Sequence, residues 1–311
     1  MTFAAAESAP IPMAAARWPG RGLLVALVIL AVVEAAMHGD GFLYRFRSVF
    51  AAGRAMDKIR YVEAHDPALL FLGNSRTDNA FDPRTVLKAA GLNLPGGAFN
   101  LGLPGADARV LDGIVERLDR AGKLGPHGVR FVVLALDEAL VQPVDSLGQE
   151  VFFADRRLLW SDGQYRDALR TVIRLYGFSA NLAQLREPAV LERFLRAAVH
   201  EVDPLGGAAG EHLGYRAGFG GLQDAQAAKL QDNDAVAPPS AVNERRLLDL
   251  LDRLRSRGVQ VAVVFPPLRD REVMYVSSGP QAAPYIELAR QIRERGLPMK
   301  LRSWRWRVSS P

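Results

Sequence analysis

The residues best suited to chemistry stand at the end of a short apolar run. Ala68 to Leu72 is followed by Gly73, Asn74 and Ser75, and then by polar residues and a helical pattern. An apolar run closed by a glycine turn predicts a buried strand. Ser75 would then lie at the carboxyl edge of a parallel sheet, where open α/β folds bind ligands. Ser75 is therefore the candidate nucleophile, and a helix N-cap is the competing interpretation of the same residue.

The elements around this serine alternate between strand and helix. Helical patterns are predicted over 83–90 and 106–121, and short apolar strands over 96–102 and 129–136, the last ending at Asp137. Strands that alternate with helices at this spacing predict βαβ units and a parallel sheet. The second glycine turn, at the end of 96–102, would reach the same sheet edge as Ser75.

The alternation of strands and helices is interrupted and then resumes. Residues 143–238 are too long for a simple loop and contain helical patterns, so they are predicted to form a helical insertion. An amphipathic helix over 241–257, a valine-rich strand over 259–265 and a helix over 284–295 follow. The alternating cationic and aromatic residues of 299–308 predict at most an exposed edge strand, not a buried parallel one.

Two motifs resemble the SGNH, or GDSL-like, hydrolase superfamily. They are Phe71-Leu72-Gly73-Asn74-Ser75-Arg76-Thr77 and Asn100-Leu101-Gly102-Leu103-Pro104-Gly105. The resemblance covers about 66–140 and 239–296, and is greatest to bacterial envelope members. It implies a three-layer α/β/α, flavodoxin-like fold over 66–298. It also implies an acyl-ester hydrolase or O-acyltransferase that acts on cell-envelope polysaccharide.

The resemblance also implies roles for particular residues. Ser75 maps to the nucleophile, and the backbone N–H groups of Ser75 and Gly102 map to the oxyanion hole. Asn100 could donate a side-chain hydrogen bond in the same pocket. Arg76 could face an anionic group of the substrate, although a solvated arginine is the competing interpretation.

The chain departs from the family in two ways. Asp137 stands where the family has an asparagine, and an ionised carboxylate only accepts hydrogen bonds. The Asp-x-x-His motif that supplies the family's base is missing, so His212 and His200 in the insertion are the remaining candidate bases. A serine without a base is a poor nucleophile. The alternative function is therefore a non-catalytic scaffold or polysaccharide-binding protein. A second hypothesis is that 299–311, an atypical basic tail, is out of frame or truncated.

The N-terminal region predicts attachment to a membrane. Residues 1–21 are rich in alanine and proline and are predicted to be disordered. The apolar run 22–37 predicts an uncleaved signal anchor that forms a transmembrane helix, with a cleaved signal peptide or a buried helix as alternatives. Residues 38–65 would be a linker helix. The α/β domain would then lie on the periplasmic, or extracytoplasmic, side of the membrane.

Composition excludes several classes of site. The chain has no cysteine, so disulfides, thiolate metal sites and a cysteine nucleophile are excluded. Of the net charge of +5, four charges lie in residues 300–311, so the basic balance does not indicate nucleic-acid binding. The two glycine patterns that bind phosphate groups, G-x-x-x-x-G-K-[ST] and G-x-G-x-x-G, are both absent from the sequence. We therefore expect no cofactor and no metal. The resemblance to SGNH hydrolases implies an acylated polysaccharide or another acyl ester as the partner.

Overall fold

The fold is built on a parallel β-sheet with helices around it. The computed structural model of the chain describes residues 20–46, 53–142, 153–199, 212–216, 239–266 and 282–300. The strands are β1 (Leu69–Gly73), β2 (Ala98–Gly102), β3 (Phe131–Ala135), β4 (Gln260–Val264) and a two-residue edge strand, β5 (Met299–Lys300). Their order is β2-β1-β3-β4-β5, and every pair is parallel. This is the order of flavodoxin-like doubly wound sheets.

The helices that flank the sheet follow the strands along the chain. The first seven are α1 (Arg21–Met37), α2 (Asp40–Arg45), α3 (Gly53–His65), α4 (Ser75–Ala80), α5 (Pro83–Ala90), α6 (Ala108–Arg120) and α7 (Glu138–Val141). The insertion contributes α8 (Arg156–Ser161), α9 (Tyr165–Val172), α10 (Arg174–Gly177), α11 (Ser179–Ala183) and α12 (Pro188–Val199). The last two are α13 (Ala241–Ser256) and α14 (Ala282–Glu294).

Alternate residues of each strand point to opposite faces, and both faces are covered. On β1, Leu70 and Leu72 join the large core that includes apolar side chains of α3, α6, α13 and α14. Leu69 and Phe71 join a smaller core on the other face, where α5 packs. Burial on both faces explains why β1 reads as a continuous apolar run rather than an alternating one. The α/β class with a parallel sheet is therefore confirmed, and its layers are consistent with α/β/α.

The predicted elements and the observed ones agree closely around the serine. Asp82 caps α5, since its carboxylate accepts from the Arg84 N–H, and Gly91 ends the helix in the left-handed region with φ 63°. In the insertion, the three short helices α8, α9 and α10 follow one another, with Gly163 at φ +74° between the first two. The tail 299–311 begins with β5 as an edge strand, and residues 301–311 lie outside the described ones.

The predicted transmembrane helix is not found. Helix α1 has 17 residues. Across the described ranges, no helix combines the length and the apolar character needed to cross a membrane. The predicted disordered segment 1–21 lies outside the described residues, apart from Gly20 and Arg21.

The end of α1 is attached to the insertion. The Glu34 carboxylate accepts from the backbone N–H groups of Arg174 (2.8 Å) and Leu175 (2.9 Å), and Arg174 donates to the Met37 carbonyl at 2.7 Å. Met37 and Phe178 are buried in a small apolar cluster between the two regions. Burial is the largest single effect and raises the pKa of Glu34. The hydrogen bonds together outweigh it, so the pKa is below its usual value. Glu34, the charge that interrupts the apolar run, is thus satisfied by the protein itself.

Candidate functional site

Ser75 lies exposed at the carboxyl end of β1, at the first position of α4. The residue before it is the N-cap: Asn74 Oδ1 accepts from the Arg76 N–H at 2.9 Å. The N-cap interpretation of Ser75 is therefore wrong, because its neighbour provides the cap. Among the described residues, the Ser75 hydroxyl makes no hydrogen bond. The serine is held in place by its neighbours, while its own oxygen faces the surface.

Asp137 connects the start of α4 to the start of α7. Asn74 Nδ2 lies 2.8 Å from each Asp137 oxygen. Oδ1 also accepts from the Leu140 N–H at 3.2 Å, so Asp137 caps α7. Oδ2 lies 3.3 Å from the Arg76 guanidinium. With two contacts to each oxygen, this carboxylate is a structural link and supplies no donor to an oxyanion.

Arg76 is engaged by acidic side chains of its own protein. Its guanidinium forms a two-pronged pair with Glu138, with N–O distances of 2.8 and 2.7 Å, in addition to the contact with Asp137. The Arg76 side chain is 26% exposed. The arrangement corrects the expectation that this cation faces an anionic substrate group, because its donors already face carboxylates.

Burial dominates the electrostatics of this network. Desolvation raises the pKa of Asp137 to about 6, with Arg76 opposing the shift and Glu138 adding to it. Nearby, burial raises the pKa of the Tyr285 hydroxyl to about 12, with a hydrogen bond from Gln142 (3.1 Å) opposing the rise and the charges of Glu138 and Asp137 adding to it. The edge beside Ser75 is therefore a negatively charged region balanced by one arginine.

Asn100 and Gly102 are committed to the scaffold. Asn100 is fully buried, and its amide donates to the carbonyls of Thr77 (2.8 Å) and Phe81 (2.7 Å). Its Oδ1 accepts from the Gly102 N–H at 2.8 Å. Both expectations are corrected by these contacts: the Gly102 N–H is not available to an oxyanion, and the Asn100 amide holds the end of α4.

Gly102 is required for close packing. A Cβ built there would lie 2.3 Å from the Asp78 nitrogen and 2.8 Å from its Cα, so only glycine allows α4 to approach β2. The Gly102 carbonyl accepts from Lys58 Nζ at 2.5 Å, and Lys58 also pairs with Asp78 at 2.7 Å. Sequence reasoning missed Lys58, since nothing in an amphipathic helix distinguishes a buried lysine from a solvated one.

The loop after β2 offers a different backbone donor. Leu103 donates to the Gly73 carbonyl (2.9 Å), which places the loop next to the Ser75 turn, and Ala106 donates to Leu103. Pro104 has no N–H. Gly105 adopts a positive φ of 75°, and its N–H makes no hydrogen bond within the described segments. The first N–H of α4, that of Ser75, likewise has no acceptor there.

No imidazole of the described residues is hydrogen-bonded to Ser75. His212 is exposed in a turn whose Leu213 carbonyl accepts from the Asn100 N–H at 2.8 Å, so this part of the insertion runs along the outer edge of β2. Ser75 makes no hydrogen bond with His212. His38 lies 2.9 Å from Glu34. His200 lies outside the described residues.

Comparison with protein-family models, with curated proteins and with solved structures finds no match to this chain.

Proposed function

We propose that this chain is an SGNH-type serine acyl-ester hydrolase or O-acyltransferase in which Ser75 is the nucleophile. The observation that supports this most directly is the placement of Ser75. Its hydroxyl is exposed and unengaged by any described residue at the carboxyl edge of the sheet, while Asn74 on one side and Arg76 on the other are locked by hydrogen bonds. A fixed backbone around a free hydroxyl suits a nucleophile.

The oxyanion donors that fit this proposal are the N–H groups of Ser75 and Gly105. Both lack acceptors in the described part of the chain, and both lie in turns that follow neighbouring strands. Gly105 replaces Gly102 in this role, because the Gly102 N–H already donates to Asn100. Backbone donors of this kind stabilise charge as it develops on the carbonyl oxygen.

The reaction would proceed by acyl transfer. Ser75 Oγ bonds to the acyl carbon, the C–O bond to the alcohol breaks, and the acyl-enzyme then passes its acyl group to water or to a second hydroxyl. Over this step the Ser75 proton ends on the oxygen of the departing alcohol, and no imidazole of the described residues is hydrogen-bonded to Ser75 to carry it. The substrate class, an acylated polysaccharide of the extracytoplasmic envelope, rests on the motif resemblance.

Labelling by a fluorophosphonate probe tests the proposal. The full-length wild-type chain should be labelled, and Ser75→Ala should not. Ser256→Ala is the matched control, since Ser256 is an exposed serine near the end of α13 that only donates to the Arg253 carbonyl. If folded wild-type protein is not labelled, or if Ser75→Ala is labelled equally, the enzymatic proposal fails.

A second candidate is a non-catalytic scaffold or polysaccharide-binding protein. The observation that favours it is Asp137: a carboxylate with both oxygens engaged occupies the position expected for a donor. In that case, acylated polysaccharide should bind equally well to wild-type protein and to Ser75→Ala, and neither should be labelled by the probe.

A further inference from the structure

Helices α8 and α9 of the insertion enclose a surface cleft that the site around Ser75 does not use. The cleft has a volume of about 440 Å³ and is lined by Arg156, Arg157, Trp160, Ala168, Leu169 and Val172. Trp160 is 62% exposed, and its ring meets Tyr165 edge-on with centroids 5.0 Å apart. Large exposed apolar surfaces on an otherwise folded domain indicate an interaction site.

The apolar surface continues beyond the cleft. On α9 and the turn that follows it, Leu169, Val172 and Ile173 are each more than 40% exposed. Exposed aromatic side chains beside aliphatic ones are typical of protein surfaces that enter the boundary between lipid head groups and acyl chains.

The charges around the cleft favour an anionic partner. The guanidinium groups of Arg156 and Arg157 form no ion pair or hydrogen bond with any described residue. None of three neighbouring acids forms an ion pair with either arginine. Asp162 pairs with Arg246 (2.5 Å), and Asp167 pairs with Arg109 (3.0 Å). The third acid, Asp155, accepts from backbone N–H groups of α8. The rim therefore presents two arginines without an ion-pair partner among the described residues, beside an apolar surface.

A second exposed apolar surface is attached to the same region. Eight large apolar side chains of α1 are at least half exposed: Leu23, Leu24, Val25, Leu27, Val28, Ile29, Leu30 and Val32. Glu34 fixes the end of this helix to α10, which follows α9 directly. The Glu34 carboxylate therefore accepts hydrogen bonds from backbone N–H groups of α10.

We propose that the face formed by α8 and α9 docks on the surface of a bilayer that contains anionic phospholipid. Arg156 and Arg157 bind the phosphate groups, and Trp160 and Leu169 enter the acyl-chain boundary. This docking takes place at the interface and requires no spanning helix. It is independent of the proposed acyl-transfer chemistry, because none of these residues belongs to the network around Ser75.

The fluorescence of Trp160 in the full chain tests this docking directly. Phenylalanine replaces the other three tryptophans, Trp18, Trp304 and Trp306, so that emission reports the cleft alone. The probe is a vesicle of phosphatidylcholine with phosphatidylglycerol whose acyl chains are brominated, compared with brominated phosphatidylcholine alone. We expect a blue shift and strong quenching with the anionic vesicles only.

Charge substitutions distinguish binding by the two rim arginines from a general effect of the protein's net charge. In Arg156→Gln/Arg157→Gln, the equilibrium between docked and undocked cleft should shift about 30-fold toward the undocked form, since each arginine near an anionic surface is worth about 1 kcal/mol. Arg84→Gln/Lys88→Gln removes the same charge from exposed positions on α5 and should leave the quenching unchanged.

Several outcomes would overturn the proposal. One is vesicle-bound protein whose Trp160 emission is unquenched, and another is protein that binds neither vesicle. Equal quenching by both vesicles, or in the Arg156→Gln/Arg157→Gln variant, would show that the arginines do not recognise the head groups. A blue shift that depends on protein concentration without vesicles would assign the cleft to a second copy of the chain.

Discussion

Lys58 Nζ lies 2.7 Å from Asp78 Oδ1, and both side chains are completely buried. Lys58 belongs to α3, outside the region that resembles a hydrolase, whereas Asp78 lies one turn after Ser75. Because Lys58 also donates to the Gly102 carbonyl, a single ammonium group joins α3, α4 and the end of β2. The segment expected to be a simple linker therefore supports the turn that presents the candidate nucleophile.

Replacing this lysine should destabilise the domain strongly. Lys58→Met removes the counter-ion of a buried carboxylate and should lower the free energy of unfolding by about 3–5 kcal/mol. Urea denaturation at neutral pH measures this change in the free energy of unfolding. Lys88→Met, at an exposed position on α5, should change stability by less than about 0.5 kcal/mol. A loss in Lys58→Met no larger than in Lys88→Met would show that the buried pair does not hold these elements together.

The role of Gly102 can be tested by adding one methyl group. Gly102→Ala places a Cβ against the backbone of Asp78, where there is no flexible side chain to move, so we expect a loss of about 3 kcal/mol or more. Gly41→Ala is the control, since its Cβ meets nothing within 4 Å and the residue lies in α2. That change should leave stability unchanged or raise it by up to about 1 kcal/mol. If Gly102→Ala folds with normal stability, the close approach of α4 to β2 is not required.

The buried carboxyl of Asp137 predicts a pH dependence of stability. Burial raises its pKa in the folded state to about 6, so the folded protein binds this proton more tightly than the unfolded chain. Stability from this group is therefore present at low pH and is lost as the pH rises from about 4 to about 6. The loss is at most about 3 kcal/mol.

Denaturation across this pH range compares wild type with Asp137→Asn. The variant should lack this part of the loss, so wild type should become less stable relative to the variant as the pH rises. Val141→Ala, which truncates a buried side chain of α7, should destabilise by the same amount at every pH. Parallel pH profiles for wild type and Asp137→Asn would contradict the raised pKa.

Much of the fold could be predicted from local sequence patterns. The apolar run of β1, the Asp82 cap and the Gly91 stop of α5 are properties of residues that are neighbours in the chain, and they act whatever the rest of the fold does. The same reasoning puts Ser75 after a parallel strand, and hence at the carboxyl edge, because parallel strands all point the same way. Local patterns also indicate that the insertion is helical, but they do not show where its helices are divided, as at Gly163.

The partners of the polar side chains could not be predicted in this way. Asn100 bonds to the end of α4, Arg76 pairs with Glu138 62 positions away, and Lys58 pairs with Asp78 20 positions away. Each contact depends on which strands are adjacent and on their register. A motif shows which residues are present and not which of their donors remain unused.

The sequence by itself thus determined that this is a parallel α/β protein with a serine at the carboxyl edge of its sheet. The tertiary structure decided that Asn74 is the cap and that Asn100, Gly102 and Arg76 are engaged by their own protein. It also left His212 on the outer side of β2, without a hydrogen bond to Ser75. The physical reason is that periodicity and capping are local, whereas hydrogen-bond satisfaction depends on groups brought together from distant parts of the chain.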